Sequence, residues 1–418
     1  MRIKVRRPNA ALYCAVYILA YPAIKLIFGL HVDRTGFQPP KGPFLVVSNH
    51  TSFIDFLLVM MAVYPLRLNA VAAKKYFFSP PLDKLLPLMG CIPKALFDPD
   101  IRSVMGIKSV LEHRGRVLLF PEGRCSVDGA YMGINKATGK LVKSIGVPVV
   151  SCHIEGTYNC MPFWRKGMRF GHARLTIAGL FSVEDLQSFS VDEINSAIDV
   201  RLSGLDTPPP DKPLRVLRAR RLAEGLQNLL YYCPNCGSEL TLKMEGNVIH
   251  CKACGNTVLI DRAAKLVPAP GSTAPDSVNG WCDEQSRYEA RRLCEDMKPV
   301  SVRVTISMPF SVKDGISPCG AGTLWIGSDG WRYDGGMAGK NVSLFFPIDT
   351  VPAIPFDPGD NFQIYAGGNL YVIKPVDGRL CSKFATIGEC AYWRFATHVH
   401  MTQGRYGSGD MEPMNHEY

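Results

Sequence analysis

Residues Phe44 to Asp55 read FLVVSNHTSFID, and no other stretch restricts the fold of this chain as much. An apolar run, Phe44-Leu45-Val46-Val47, stops at Ser48-Asn49-His50, and a second begins after Asp55, at Phe56. A short strand-like segment, a polar break and a longer helix-like segment make a βα junction. In open α/β sheets the chemistry gathers at the carboxyl ends of such strands. On one continuous helix His50 and Asp55 would stand about 140° apart, so they meet only if the backbone turns between them. Ser52 and Asp55 have the spacing of a capping box, which supplies such a turn. The spacing leaves two readings open: Asp55 caps the amides of a helix start, or it partners a catalytic His50.

A second strand pattern, Arg116-Val117-Leu118-Leu119-Phe120, runs into Pro121-Glu122-Gly123-Arg124-Cys125-Ser126. Between the two lies Gly90-Cys91-Ile92-Pro93-Lys94, and after them comes Val147-Pro148-Val149-Val150. These four blocks, in this order, resemble the PlsC-like glycerolipid acyltransferase family that includes 1-acylglycerol-3-phosphate acyltransferase. The resemblance covers the stretch from Asp33 to Leu205. It implies transfer of a fatty acyl group from acyl-CoA or acyl carrier protein to a lysophospholipid hydroxyl, foremost 1-acylglycerol-3-phosphate, giving phosphatidic acid. Glycerol 3-phosphate or another lysolipid is the alternative acceptor. A catalytically idle membrane adaptor is the rival from a different class.

The resemblance assigns His50 and Asp55 to catalysis and Asn49, Lys94, Glu122, Gly123 and Arg124 to substrate binding. The residue types suit the chemistry. Neutral imidazole, with a pKa of about 6.5, can take a hydroxyl proton near neutral pH. A carboxylate beside it sets the tautomer and stabilises the imidazolium that forms. Gly123 permits close backbone approach, and Arg124 and Lys94 can add charge-assisted bonds to a phosphate. Glu122 would repel a phosphate and is assigned to holding the loop or the hydroxyls. Two departures fall on this phosphate site. The family's T-R-S is Arg124-Cys125-Ser126 here, and Lys94 stands where the family has arginine, a point charge in place of a fork. Cys125 raises a covalent route through a thiolate; direct attack is the favoured one, because the family's block uses no nucleophile there.

Elsewhere the chain alternates strand-like and helix-like segments from Phe44 onward. Strands are expected at Phe44–Ser48, Ala70–Ala73, Cys91–Pro93, Val117–Phe120, Val147–Cys152 and Arg174–Ala178. Helices are expected at Phe53–Tyr64, Ile101–Arg114, Lys136–Ser144 and Val191–Leu202, the last opened by a Ser190/Glu193 capping box. This alternation predicts an α/β domain with a mostly parallel sheet flanked by helices over residues 33–206. Before it, Met1–Arg7 is basic and Ala10–Ile24 is uncharged, short of the roughly 20 apolar residues that span a bilayer. Residues 1–32 are expected to be an uncleaved membrane anchor, spanning or interfacial, in preference to a signal peptide. The formal charge of +10 suits phosphorylated lipids and their membranes. That charge alone does not exclude nucleic acid, but no nucleic-acid partner is expected. A membrane-associated protein on the cytoplasmic face is the expectation.

Residues 207–230 are expected to be a Pro-rich linker and a basic helix over Leu214–Leu230. Cys233-Pro234-Asn235-Cys236-Gly237 and Cys251-Lys252-Ala253-Cys254-Gly255 then resemble a zinc ribbon, expected over residues 231–262. Four thiolates fill a tetrahedral zinc site and leave no open position, so the metal would be structural. His250 is a possible substitute ligand. The other ten of the fourteen cysteines are scattered, which suits a reducing compartment. Residues 263–298 are expected to be a linker, Ala263–Gly280, and a helix, Trp281–Met297. Residues 299–402 show strand-like segments closed by a helix with Phe384, Ile387, Ala391 and Phe395 on one face, like a PH- or GRAM-type domain. The polar end, Gln403–Tyr418, is expected to be disordered.

Overall fold

The computed structural model describes residues 5–97, 100–207, 214–216, 220–295, 298–311 and 315–396. The expected tail, most of the Pro-rich linker, Arg218 and the first basic residues lie outside them. The chain divides into two compact units: Met1–Pro162 with Gly167–Arg218, and Phe163–Lys166 with Ala219–Tyr418.

The first unit runs α1 (Ala10–Phe28), β1 (His31–Asp33), β2 (Phe44–Ser48), α2 (Asp55–Ala62), β3 (Asn69–Ala73), α3 (Leu82–Leu88), β4 (Ile92–Lys94), α4 (Ile101–Glu112) and β5 (Arg116–Leu119). It continues with α5 (Ala137–Ile145), β6 (Val149–Glu155), α6 (Thr157–Cys160), β7 (Arg174–Phe181), α7 (Val183–Ser188) and α8 (Val191–Ser203). The strands form one sheet in the order β1-β7-β6-β2-β5-β3-β4, with only β6 and β7 antiparallel. The sheet is therefore mixed but mostly parallel. The apolar run Phe44–Val47 has no polar alternation because β2 is buried on both faces, as a central parallel strand must be. Phe44 and Val46 meet Ile24 and Phe28 of α1 and Leu58 and Val59 of α2 on one side. Leu45 and Val47 meet Ile107 and Leu111 of α4, Val142 of α5 and Ile198 of α8 on the other. Each fully buried aliphatic side chain of this kind contributes about 1.5–3 kcal/mol.

Two expectations are refined in this unit. The Ser190/Glu193 capping box forms on α8, but Ser52 and Asp55 make no reciprocal box: the Ser52 hydroxyl donates to Met161 O at 2.8 Å instead. The N-terminal helix packs partly on the domain. Tyr13, Ile24 and Phe28 are buried against the domain, while Ile18, Leu19 and Leu26 stand 60–77% exposed on the opposite face. The helix meets the length and composition of a membrane span, and 17% of its most apolar stretch is buried.

In the second unit the expected helix over Leu214–Leu230 is absent among the described residues. Leu222 N–H is given to Asn247 Oδ1, and Ala223 N–H to Gly246 O, so neither is left for a carbonyl one turn back. Gly225 then takes a φ of 102°, open to glycine and closed to a helix. The segment instead feeds a four-stranded ribbon of β8 (Leu242–Glu245), β9 (Val248–Cys251), β10 (Thr257–Ile260) and β11 (Leu266–Pro268), ordered β11-β10-β9-β8. Strand β11 falls inside the stretch expected to be linker, because its backbone pairs with β10.

After α9 (Val278–Glu295) come β12 (Val300–Ser311), β13 (Gly315–Ile326), β14 (Gly330–Met337), β15 (Lys340–Pro347), β16 (Phe356–Asp357), β17 (Asn361–Ala366), β18 (Asn369–Pro375) and α10 (Leu380–Ala391). These strands form an antiparallel sheet ordered β15-β14-β13-β12-β18-β17-β16. Phe384 and Ile387 of α10 are buried, with Phe384 beside Trp331 and Phe362. The region is thus largely strands closed by a helix.

Candidate active site and metal centre

Strands β6, β2, β5, β3 and β4 all point the same way, so their carboxyl ends lie along one edge of the sheet. His50 leaves β2 at that edge, Glu122 to Ser126 leave β5, and Lys94 ends β4. His50 Nδ1 stands 3.1 Å from Asp55 Oδ2, with Asp55 fully buried and the imidazole 18% exposed. The same Oδ2 accepts the N–H groups of Thr51 and Ser52, each at 2.7 Å. One oxygen thus both caps the turn and holds the histidine. A carboxylate oxygen only accepts, so Nδ1 carries the proton and the Nε2 lone pair is left available. The His50 ring lies on Phe120, with centroids 4.1 Å apart.

The His50 peptide is gripped from both ends by the loop after β5. Glu122 Oε1 accepts its N–H at 2.6 Å, and the Ser126 N–H donates to its carbonyl at 2.8 Å. Glu122 Oε2 accepts the Met132 N–H at 3.0 Å. Burial pushes the Glu122 pKa up to about 8, against the downward pull of these two N–H bonds. Its carboxylate thus holds the loop. Asn49 is buried, and its amide is turned to β6: Nδ2 donates to Ile154 O at 2.8 Å and Oδ1 accepts Ile154 N–H at 2.7 Å. It extends the β2–β6 pairing past Ser48 and engages the Ile154 backbone with both ends of its amide.

Gly123 has a φ of 81°, which a side chain would strain. Arg124 donates from Nε to the Met132 sulfur at 3.4 Å, and its guanidinium lies 5.8 Å from the Phe97 ring. Phe97 follows β4, so the second and third blocks meet here. Lys94 shares the edge but is three strands from β2, about 14 Å at ordinary strand spacing. The structure thus joins His50, Asp55, Glu122 and the Gly123 backbone closely and sets Lys94 on the rim. Sequence reasoning missed Phe120, Ser126 and Met132 as supports, although the first two lie inside a block already singled out.

Burial pushes the Cys125 thiol well above its ordinary range, and the Asp55 and Glu122 charges add to this. A protonated thiol is a poor nucleophile. Cys125→Ser is expected to keep kcat/KM within about threefold of wild type, with no acyl-enzyme adduct by mass spectrometry after mixing with donor. An isolated acyl-cysteine would overturn this.

In the second unit the four ribbon sulfurs lie within 4.8 Å of one another. The Cys233–Cys254 and Cys236–Cys251 pairs are each 3.8 Å apart. Tetrahedral Zn–S bonds of about 2.3 Å require S–S separations of about 3.8 Å, so the set fits zinc. Each knuckle closes by a glycine N–H, Gly237 to Cys233 O and Gly255 to Cys251 O. Both glycines have positive φ, 73° and 78°, which explains their place after each pair. His250 Nδ1 pairs with Thr257 Oγ1 at 3.0 Å, outside the sulfur cluster.

Residues 30–155 match the family model described as Acyltransferase, so this chain carries an acyltransferase domain and is an acyltransferase-type enzyme. It is similar to the 1-acyl-sn-glycerol-3-phosphate acyltransferase of Limnanthes alba, 27% identical over 45% of this chain and 67% of the relative. The 1-acyl-sn-glycerol-3-phosphate acyltransferase alpha of Bos taurus is 32% identical over 37% of this chain and 54% of its own length. The crystal structure of the 1-acyl-sn-glycerophosphate acyltransferase PlsC from Thermotoga maritima aligns over 48% of this chain and 82% of its own, at 20% identity and a TM-score of 0.41. Residues 226–265 match a zinc-ribbon model described as DNA directed RNA polymerase, 7 kDa subunit.

Proposed function

We propose that this enzyme moves a fatty acyl group from acyl-CoA or acyl carrier protein to the free hydroxyl of a lysophospholipid, with 1-acylglycerol-3-phosphate as acceptor and phosphatidic acid as product. The observation that carries the reading is the 3.1 Å contact of His50 Nδ1 with Asp55 Oδ2 beside the Gly123–Arg124 loop. In this reading Nε2 takes the hydroxyl proton as the oxygen attacks the thioester carbonyl. The tetrahedral intermediate then expels the thiolate as the C–S bond breaks, and the imidazolium returns its proton to sulfur. Asp55 stabilises the imidazolium. The Gly123 backbone and Arg124 meet the acceptor's phosphate, with Lys94 at the rim of the same edge.

The exposed apolar face of α1 supports a place at the membrane, with catalysis on the cytoplasmic face. In the second unit Cys233, Cys236, Cys251 and Cys254 would hold a structural zinc. The sheet closed by α10 fits a PH- or GRAM-type domain.

The test is acyl transfer by purified protein in detergent, with lysophosphatidic acid, glycerol 3-phosphate and lysophosphatidylcholine offered in parallel. Lysophosphatidic acid is expected to give a kcat/KM at least about tenfold above lysophosphatidylcholine, since a loop-held charge pair is worth a tenfold or more. The same margin is expected over glycerol 3-phosphate, which has the phosphate but lacks the acyl chain whose burial adds binding energy. Equal turnover of the phosphocholine acceptor would remove the proposed headgroup. No transfer to any acceptor from either donor would remove the reaction.

A further inference from the structure

The loop that carries Glu122, Gly123 and Arg124 is closed at its neck. The Asn135 N–H donates to Pro121 O at 3.1 Å, so residues 121–135 leave the sheet and return to the same point. Such a loop needs something to hold its outer half. That half is held by α8. Asp199 Oδ1 accepts the Tyr131 hydroxyl at 2.8 Å and the Ile134 N–H at 3.3 Å. One turn earlier on the same face, Asn195 Oδ1 accepts the Gly139 N–H at 2.8 Å and its Nδ2 donates to Lys136 O at 3.0 Å. Gly139 leaves room for this approach, because a Cβ there would come within 2.6 Å of Val191 O.

The contacts link in series. Tyr131 and Ile134 flank Met132, whose N–H is held by Glu122 Oε2 and whose sulfur receives Arg124 Nε. The other oxygen of Glu122 holds His50 N–H. Burial, and then the bond to Asp199, raise the Tyr131 pKa, which keeps the hydroxyl protonated and donating. Ile194, Ile198 and Leu202 fix α8 itself in the core. Residue 199 also lies beyond the stretch, 30–155, that matches the acyltransferase model.

We propose that Tyr131 and Asp199 are positioning residues for acyl transfer: α8 sets the loop that presents Glu122 and Arg124, and through it the place of the acceptor's phosphate. This rests on the acyltransferase reading above. Asp199 and Tyr131 do not touch substrate in this account; they act through the loop.

The experiment compares wild type, Tyr131→Phe, Asp199→Ala and Asp199→Asn, with kcat and KM measured separately for lysophosphatidic acid and acyl-CoA, and Tm recorded beside them. Tyr131→Phe and Asp199→Ala are expected to raise the acceptor KM about tenfold while the donor KM stays within about twofold. Asparagine still offers an oxygen to both donors, so Asp199→Asn is expected to restore most of the acceptor affinity. A general loss of packing would move both KM values together and would not be rescued. Unchanged acceptor KM in the first two variants, or equal shifts for both substrates, would overturn the proposal. Should Asp199→Ala fail to fold, Tyr131→Phe removes a single hydroxyl and carries the same test. Hydrogen exchange at the Met132 and Ile134 amides provides a readout independent of turnover. Exchange at least about tenfold faster in Tyr131→Phe supports the latch even if lysophosphatidic acid is not the acceptor, and unchanged exchange sinks it.

Discussion

Replacing His50 with alanine is expected to lower kcat by about 10³-fold or more while leaving the fold intact. The imidazole stands at the sheet edge with Nδ1 on its holding carboxylate, which leaves Nε2 to meet the acceptor's hydroxyl in the proposed mechanism. Its removal leaves the hydroxyl nucleophile without a proton acceptor. The side chain is 18% exposed and touches Phe120 by one face, so Tm is expected to fall by no more than a few degrees. Steady-state turnover with lysophosphatidic acid and acyl-CoA, beside a thermal melt, separates the two effects. Turnover by His50→Ala within tenfold of wild type would exclude the general-base role.

Removal of the zinc proposed for the ribbon is expected to have the second large effect, on stability. Cys233 is fully buried, and the segment around it is threaded between α9 and α10. Gln285 Oε1 accepts the Tyr231 N–H at 2.8 Å, Trp281 Nε1 donates to Tyr232 O at 2.8 Å, and Ser382 Oγ donates to Leu229 O at 2.8 Å. Lys383 pairs with Glu239 and Arg379 reaches Leu240 O, on the far side of the first knuckle. Four thiolates within 4.8 Å of one another repel unless a cation sits among them. Chelation, or Cys233→Ser, is therefore expected to unfold the ribbon and then loosen α9 and α10. The cost is several kcal/mol, since structural zinc contributes about 10 kcal/mol or more to small ribbons. The check is metal analysis of the purified protein followed by thermal melts with and without chelator. Full-length protein that carries no zinc and melts identically under both conditions would overturn it.

The parts of the fold legible in the sequence were those set by local rules. Strand β2 was legible because an unbroken apolar run of that length, bounded by polar residues, fits a central parallel strand. The two cysteine knuckles were legible because cysteine spacing and the glycine after each pair encode a fixed backbone turn. The meeting of His50 and Asp55 was half legible: the turn could be inferred, but not that Oδ2 would serve amides and imidazole together. The basic stretch after residue 213 was misread because its leucines have a helical look, while its amides are claimed by the turn between β8 and β9. The resemblance assigns Asn49 to substrate binding, and nothing in the local pattern shows that its amide pairs with the Ile154 backbone, 105 residues away. Long-range partners such as this one, and Asp199 for Tyr131, leave no mark in a local pattern.

The three bonds that converge on Asp55 Oδ2 bear on how this site can change. In many enzymes the reacting groups sit in strained surroundings, and replacing one makes the protein tougher at the expense of turnover. Here the same oxygen that holds the His50 imidazole also closes the turn into α2, so a change that removes this oxygen forfeits both. Mutational drift toward a sturdier, inactive relative is blocked at this residue, and Asp55→Ala, which removes the accepting oxygen, should come out of a stability screen among the losers, not the winners.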